Sequence, residues 1–242
     1  DRTSRGLGDV YKRQIYDEDV IRPLDNPVYH QGSLAVLRGN LAPDGAVMKP
    51  AAAEARLHKH TGPAIVFDSY KEMKAAVENE TLDVTADHIM VFRNAGPVGG
   101  PGMPEWGMLP IPVKLVKQGV RDMLRISDAR MSGTSYGACI LHAAPEAAIG
   151  GPLALVKNGD MIAVDVAART LDLLVDEAEL QARKQVWQPP EQTVSRGYHW
   201  MSAQHIQQAD KGCDFDFLET TFGKSAGEPD ICLLYTSDAA DD

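Results

Sequence analysis

The chain has 242 residues, of which 44% are hydrophobic, enough to bury the core of one domain or of two small ones. Its formal net charge of −10 at pH 7 argues against a nucleic acid or any other partner with a phosphate backbone. No apolar run approaches the roughly 18 residues of a membrane-spanning helix and no charged-then-apolar leader precedes a small-residue cleavage site, so we expect a cytoplasmic protein without a membrane partner.

The two ends of the chain differ in character from its middle. Residues 1–14 and 232–242 are mostly polar and show no hydrophobic periodicity. Both resemble translated adapter sequence from assembled environmental DNA, and an ordinary pair of disordered tails is the alternative. We therefore predict one folded span, residues 15–231, between two non-native tails.

Short apolar runs bounded by glycine, proline and turn residues predict strands in the first half of this span. The predicted strands are 33–38, 46–49, 62–67, 88–92 and 122–126, with a turn at 40–45. Two helices are expected between them. Asp68 and Ser69 can cap the first, at 70–79, and Gly119 can end the second, at 111–120.

The second half of the chain predicts further strands and two more helical stretches. Residues 138–144 are apolar and fit a strand or a helix equally well. Next comes a predicted series of hairpin strands, followed by a charged helix and an amphipathic stretch. The ranges are 153–156, a turn at Asn158-Gly159, 161–166, a turn near Ala168-Arg169, 170–175, the helix 176–183 and the stretch 201–209. We expect the nearby aromatic side chains to pack in the core; they are Tyr198, Trp200, Phe215 and Phe217.

Roughly seven to nine short strands against three or four helices make this a β-rich α/β mixture. Such a mixture is most simply a barrel or a sandwich with helices packed outside.

Two glycine-rich segments between residues 93 and 137 are the best candidates for a functional site. The first, 96–105, holds four glycines and three prolines around the carboxylate of Glu105; the second, 130–137, places Ser132 and other hydroxyl side chains around two glycines. Neither composition favours a helix or strand, and both are typical of backbone that approaches a ligand or a reacting group. A pair of surface turns is the structural alternative.

The motifs GGPGMPE and SDARMSGTSYG resemble those of the dihydroxy-acid and sugar-acid dehydratases that carry an iron–sulfur cluster, relatives of the phosphogluconate dehydratases. The resemblance covers about residues 15–231. Trp106-Gly107 and the later GCDFDFLE look most like the aldonate branch, the arabinonate dehydratases. The resemblance implies that this span is the barrel-like, swivelling C-terminal domain. It also implies that the cluster cysteines belong to an N-terminal α/β domain that this sequence does not include.

The same resemblance assigns roles in the dehydration of an aldonate, such as arabinonate, to its 2-keto-3-deoxy acid. Glu105 is implied as this domain's ligand to Mg²⁺, which holds the substrate carboxylate and 2-hydroxyl, and Ser132 as the alkoxide that removes the C2 proton. The cluster is implied as the Lewis acid for the 3-hydroxyl, and Thr134 as a hydrogen-bond donor to the sugar acid. Structurally, Glu105 could instead cap a helix, and Ser132, Thr134 and Ser135 could form hydrogen bonds with the backbone of the turn.

From these roles we expect Glu105 and Ser132 to approach each other at one mouth of the barrel. We expect a homo-oligomer when the protein is full length, and no activity from this chain alone. A stand-alone β-rich module that binds a small ligand or a protein without catalysis is the alternative function.

The cysteines and a histidine pair offer weaker candidates for a metal or cluster site. The three cysteines, Cys139, Cys213 and Cys232, are widely separated and show no C-x-x-C spacing. We expect Cys139 to be a small core residue and Cys213 to be structural. His58 and His60 could share one face of a strand, but a surface pair is favoured over a metal site.

Overall fold

The computed structural model describes residues 16–27, 30, 32–133, 135–191 and 194–218. The predicted tails at 1–14 and 232–242 lie outside the described residues, and so do Thr134 and Cys232.

Eight strands of the described chain close into one barrel, so the expected β-rich α/β mixture is confirmed and the barrel is chosen over the sandwich. The strands are β1 (Ala35–Gly39), β2 (Ala42–Met48), β3 (Lys59–Phe67), β4 (Ile89–Phe92), β5 (Arg125–Ser127), β6 (Cys139–Ala144), β7 (Met161–Asp165) and β8 (Thr170–Leu173). Their order around the barrel is β1-β2-β6-β5-β4-β3-β7-β8, and β1 closes the circle by pairing with β8. Strands β3 to β6 are parallel to one another.

Four α-helices lie outside the barrel in the described chain. They are α1 (Tyr70–Glu78), α2 (Val113–Lys117), α3 (Glu177–Val186) and α4 (Tyr198–His205). The Ser69 hydroxyl caps α1 as predicted, because it accepts a hydrogen bond from the Glu72 amide at 3.2 Å. No helix in the described part of the chain is long and apolar enough to cross a membrane.

The apolar residues form two layers, one inside the barrel and one outside it, and β4 serves both. Successive side chains of a strand point to opposite faces. Ile89 and Val91 therefore face the barrel interior, whereas Met90 and Phe92 face the outer layer beneath α1 and α2. All four residues are buried, which explains why this strand reads as a continuous apolar run.

Residues 153–156 were predicted as a hairpin strand, and this was wrong. Residues 153–155 lie in a 3₁₀ turn, Pro152–Leu155, and Val156 follows it with an extended backbone. Pro152 starts the turn because its fixed φ suits a helical first position. The Asn158-Gly159 turn is correspondingly not a hairpin turn between two strands. Instead the Asn158 side chain accepts from the Val66 amide at 2.6 Å and the Gly159 amide donates to the Ala64 carbonyl at 2.8 Å. The turn therefore binds the backbone of β3.

Other boundaries shift for local reasons. Strand β2 begins at Ala42, inside the predicted turn 40–45, because the chain reverses within Gly39–Ala42. Helix α2 is shorter than 111–120, since Pro112 precedes its first residue and Gly119 takes a left-handed φ of 87° after its last. Residues 138–144, left open between strand and helix, contain strand β6.

The aromatic residues near the end of the described chain do not pack in the core, contrary to expectation. Tyr198 is 64% exposed, Trp200 41% and Phe217 57%. Phe217 stacks on Phe215 with ring centroids 5.2 Å apart, and its other aromatic neighbour is His205. Helix α4, which carries Tyr198 and Trp200, buries only Ser202, so these two aromatic side chains stay largely outside the core.

Candidate functional site

Both glycine-rich segments begin at the same end of the barrel. Because β4 and β5 are parallel neighbours, the connections that leave them start side by side at their carboxyl ends. The connection after β4 carries Glu105, which we call the glutamate loop (residues 93–105). The connection from β5 to β6 carries Ser132, which we call the serine crossover (residues 128–138).

The two segments are joined by an ion pair. The Arg130 guanidinium contacts the Glu105 carboxylate at 2.8 Å and also donates to the Met103 carbonyl at 2.5 Å. A backbone hydrogen bond adds to this contact, because the Gly107 amide, two residues after Glu105, donates to the Arg130 carbonyl at 2.8 Å. Glu105 lies well before α2 and does not cap a helix, so the capping alternative is excluded. The structure therefore sets Glu105 against a residue two positions before Ser132.

Trp106, the residue after Glu105, is anchored on the outside of the barrel. Its ring stacks on Tyr70 at the start of α1, with centroids 5.1 Å apart, and meets Phe92 of β4 edge-on at 6.2 Å. Such aromatic pairs add stabilisation beyond the area that they bury. This anchor fixes the backbone just beyond the candidate metal ligand.

Ser132 lies in a short turn of the serine crossover. The Ser135 amide donates to the Ser132 carbonyl at 3.0 Å, and Lys49 donates through Nζ to the Gly133 carbonyl at 2.8 Å. The Ser132 side chain is half-buried. Its role as a base and its approach to Glu105 stay predictions, and Thr134 lies outside the described residues.

Asp128, at the start of the serine crossover, is a buried carboxylate that sequence reasoning passed over. It is fully buried and accepts hydrogen bonds from the backbone amides of Asn94, Ala95 and Ala147, at 3.1, 3.0 and 3.0 Å. Burial raises its pKa to about 6; the three amides oppose this rise and the nearby Glu146 adds to it. The only sequence signal was its position directly after a predicted strand.

Glu146, just after β6, is a second buried carboxylate that was missed. It is 1% exposed and accepts from the amides of Val98 and Gly99, both at 2.9 Å, and from the Gln208 side chain at 2.7 Å. Gly96 packs against it so closely that an added Cβ would lie 2.6 Å from a Glu146 carboxylate oxygen. Gly96, the first residue of the glycine-rich segment 96–105, therefore makes room for a protein side chain.

A glycine of the second motif has a similar purpose. An added Cβ at Gly137 would lie 2.0 Å from the Arg125 guanidinium, and its φ of 96° favours glycine independently. Arg125 is buried and pairs with Asp122 at 2.9 Å. Close packing, and not only approach to a ligand, accounts for glycine at these positions.

The fit of the implied cofactors differs between Mg²⁺ and the cluster. Among the described residues, no group of three or more His, Cys, Asp or Glu side chains is placed to hold a metal ion. Glu105 still fits as a single contributed ligand, because its side chain is 51% exposed and Mg²⁺ is commonly bound through one or two carboxylates plus substrate oxygens.

The described cysteines do not fit a cluster, which is bound through thiolates. Cys139 is buried as expected, and burial raises its pKa to about 11. Burial also raises the pKa of the half-buried Cys213, whose sulfur lies 3.4 Å from that of Met103. Raised pKa values favour the neutral thiol, which is a poor ligand.

Comparison with known proteins identifies related sequences over most of the chain. The family model for the C-terminal domain of dihydroxy-acid/6-phosphogluconate dehydratases matches residues 19–213. The 6-deoxy-6-sulfo-D-gluconate dehydratase of Pseudomonas putida is 57% identical over 219 residues, which are 89% of this chain and 38% of that protein.

Two further relatives carry other names. The L-arabonate dehydratase of Azospirillum brasilense is 51% identical, over 86% of this chain and 37% of that protein. A dihydroxy-acid dehydratase of Methanoregula boonei is 50% identical, over 72% of this chain and 31% of that protein. The chain thus spans less than two fifths of the length of each of these relatives.

Proposed function

The chain belongs to the dihydroxy-acid/6-phosphogluconate dehydratase family, and on that premise we propose that it is the C-terminal part of a hydro-lyase that dehydrates an aldonate. The proposed substrate class is a sugar acid such as arabinonate, and the product is the 2-keto-3-deoxy acid. The names of the sugar-acid dehydratases that are 57% and 51% identical support this class. The observation that carries the proposal is the Arg130–Glu105 contact, which joins the two motif segments.

In the proposed reaction Glu105 contributes one oxygen ligand to Mg²⁺. When bound, the ion supplies positive charge that holds the substrate carboxylate and 2-hydroxyl. The Arg130 contact and the Trp106 anchor restrict where the Glu105 carboxylate can lie. This matters because catalysis depends on reacting groups being held in place before the reaction starts.

Ser132 is proposed as the base that takes the C2 proton through its Oγ. A serine hydroxyl holds its proton tightly near neutral pH, so a base of this kind needs positive charge nearby. In this proposal such a charge would come from the Mg²⁺ that Glu105 helps to hold. Thr134 is proposed to donate a hydrogen bond to the sugar acid. The described cysteines do not fit a cluster, so no step on this chain is assigned to one.

The substrate class can be tested with a full-length enzyme that carries this chain as its C-terminal part. Aldonates, 6-deoxy-6-sulfo-D-gluconate and a branched dihydroxy acid are offered separately, and the 2-keto product is measured. Preferential dehydration of an aldonate supports the proposal, whereas turnover of the branched dihydroxy acid alone contradicts it. The chain alone is expected to be inactive, and the full-length enzyme is expected to be a cytoplasmic homo-oligomer.

A further inference from the structure

We propose that Asp128 is a positioning residue for the reaction: it fixes the start of the glutamate loop to the start of the serine crossover, and so sets where Glu105 lies relative to Ser132. This inference rests on the proposed function. It begins from the three amides that Asp128 accepts, two of which, Asn94 and Ala95, open the glutamate loop.

The segment from Asp128 to Arg130 holds the glutamate loop at both ends. Asp128 binds the first end through the amides of Asn94 and Ala95. Arg130 binds the second end through the Met103 carbonyl and the Glu105 carboxylate. The residues that bind the two ends are only two positions apart, so the loop closes on one short stretch of backbone that leads directly to Ser132.

The glutamate loop has little regular structure to hold it in place by itself. It contains no helix or strand, and its own backbone bonds include Gly100 to Gly96 at 2.8 Å and Met103 to Gly100 at 2.7 Å. A glycine-rich segment has more backbone freedom to lose than other sequences. Fixing it therefore depends on partners from outside the loop.

Glu146 binds the middle of the glutamate loop. It accepts from the Val98 and Gly99 amides, while the Gln208 side chain both donates to its carboxylate and accepts from its backbone amide at 2.9 Å. Asp128 also reaches the residue after Glu146, because it accepts from the Ala147 amide. The two carboxylates together tie the connections after β4, β5 and β6 into one unit.

A gain in folding stability does not by itself explain why the carboxylates of Asp128 and Glu146 are buried. The ion pairs found among the described residues involve other acidic groups. Burying a carboxylate without a cation is costly, and only hydrogen bonds to it offset that cost. Charged hydrogen bonds are, however, stronger and more directional than neutral ones, which suits a group that must hold backbone at a fixed place.

The first test uses the 242-residue chain and does not depend on catalysis. In Asp128→Asn one carboxylate oxygen becomes an NH₂ group, which cannot accept from a backbone amide. Loss of one ordinary hydrogen bond corresponds to about tenfold faster local opening. We expect about tenfold faster hydrogen exchange at Asn94, Ala95 or Ala147, extending to Gly100 and Met103.

The matched control is Asp160→Asn, at a carboxylate that pairs with Arg183 and has a 12% exposed side chain. Asp160 lies before β7 and binds neither motif segment through its side chain. This change should lower global stability without selectively speeding exchange in the glutamate loop. Equal acceleration by both variants would overturn the proposal.

The second test uses the full-length enzyme with Mg²⁺ and L-arabinonate. We expect Asp128→Asn to raise the half-saturating Mg²⁺ concentration about tenfold and to lower the rate of C2 proton removal, with KM changed less than kcat. A merely structural role would reduce the active fraction and leave the half-saturating concentration unchanged. A wild-type Mg²⁺ requirement together with unchanged loop exchange would overturn the proposal.

A second variant covers the case in which Asp128→Asn fails to fold. Glu146→Gln alters the other carboxylate, and it should speed exchange at Val98 and Gly99 and raise the Mg²⁺ requirement; no change in either would overturn the proposal. If the wild-type full-length enzyme dehydrates no aldonate, the proposed function fails. The exchange result on the isolated chain then still decides whether Asp128 fixes the loop.

Discussion

The Arg130 guanidinium lies 2.8 Å from the carboxylate of Glu105, and this contact joins two segments that leave neighbouring parallel strands. Both side chains are about half exposed, so the pair contributes at most about 1 kcal/mol to stability. Its importance is positional. Glu105 is held toward the segment that leads into Ser132, and a carboxylate held in this way is suited to serve as one of several metal ligands.

The first prediction concerns the charge of Glu105. In the full-length enzyme, Glu105→Gln keeps the shape of the side chain but removes a charged oxygen ligand. We expect activity to fall by a factor of about 10² to 10⁴, in the range for loss of a group that acts in the transition state. Activity is measured over a Mg²⁺ titration. Glu80→Gln, at an exposed carboxylate that pairs with Lys117, is the control and should behave as wild type.

The second prediction concerns Ser132 as the base. Ser132→Ala should retain substrate binding and lose C2 proton removal by a factor of about 10² to 10⁴. Deuterium exchange at C2 of the substrate measures this step separately from loss of the hydroxyl. Ser135→Ala, in the same turn, is the control. Exchange at the wild-type rate in Ser132→Ala would show that another group, such as Thr134, is the base.

The third prediction is a pH dependence of stability caused by Asp128. Its pKa is about 6 in the folded chain against an ordinary value of 3.8, so between these values the folded state binds more protons than the unfolded state. Stability from this group is therefore full below about pH 4 and is lost as pH rises through about 6, by roughly 3 kcal/mol. The other carboxylate close to Asp128 is Glu146, whose charge adds to this rise in the pKa of Asp128.

Asp128→Asn cannot titrate, so it should lack this contribution. The measurement is urea unfolding of the chain and of Asp128→Asn at several pH values. The free energy of unfolding of wild type minus that of the variant should fall between about pH 4 and pH 6. A difference that stays constant over this window would contradict the raised pKa.

The fourth prediction concerns the buried pair of Arg125 and Asp122. Their side chains are 1% and 5% exposed, and Asp122 also accepts from the amides of Glu54 and Ala138. Asp122→Ala leaves the Arg125 charge buried and unpaired, which should cost about 3–5 kcal/mol of unfolding free energy. Lys117→Met breaks an exposed pair and should cost less than about 1 kcal/mol. Similar losses in chemical denaturation would show that burial of the pair does not matter.

Much of the fold was predictable because its signals are local. The apolar run 88–92 matches β4, Ser69 caps α1 as expected, and the turn near Ala168-Arg169 connects β7 to β8. The run 153–156 was read wrongly because four apolar residues satisfy a buried strand and a buried 3₁₀ turn equally. Closure of the barrel could not be predicted from local patterns either. It depends on pairing between β1 and β8, the first and last of the described strands in chain order.

By itself the sequence determined the family, through two motifs whose residues are contiguous, and it named Glu105 and Ser132 as candidates. Only the tertiary structure decided what holds those motifs together. Asp128 binds amides 33 and 34 positions earlier and another 19 positions later, and Arg130 reaches Glu105 across 25 positions. The residues that bind Asp128 and those that bind Arg130 are not spaced periodically along the sequence. Every residue except proline has a backbone amide that can donate a hydrogen bond. The residue types along the chain therefore do not show which amides a buried carboxylate binds, and only the tertiary structure does.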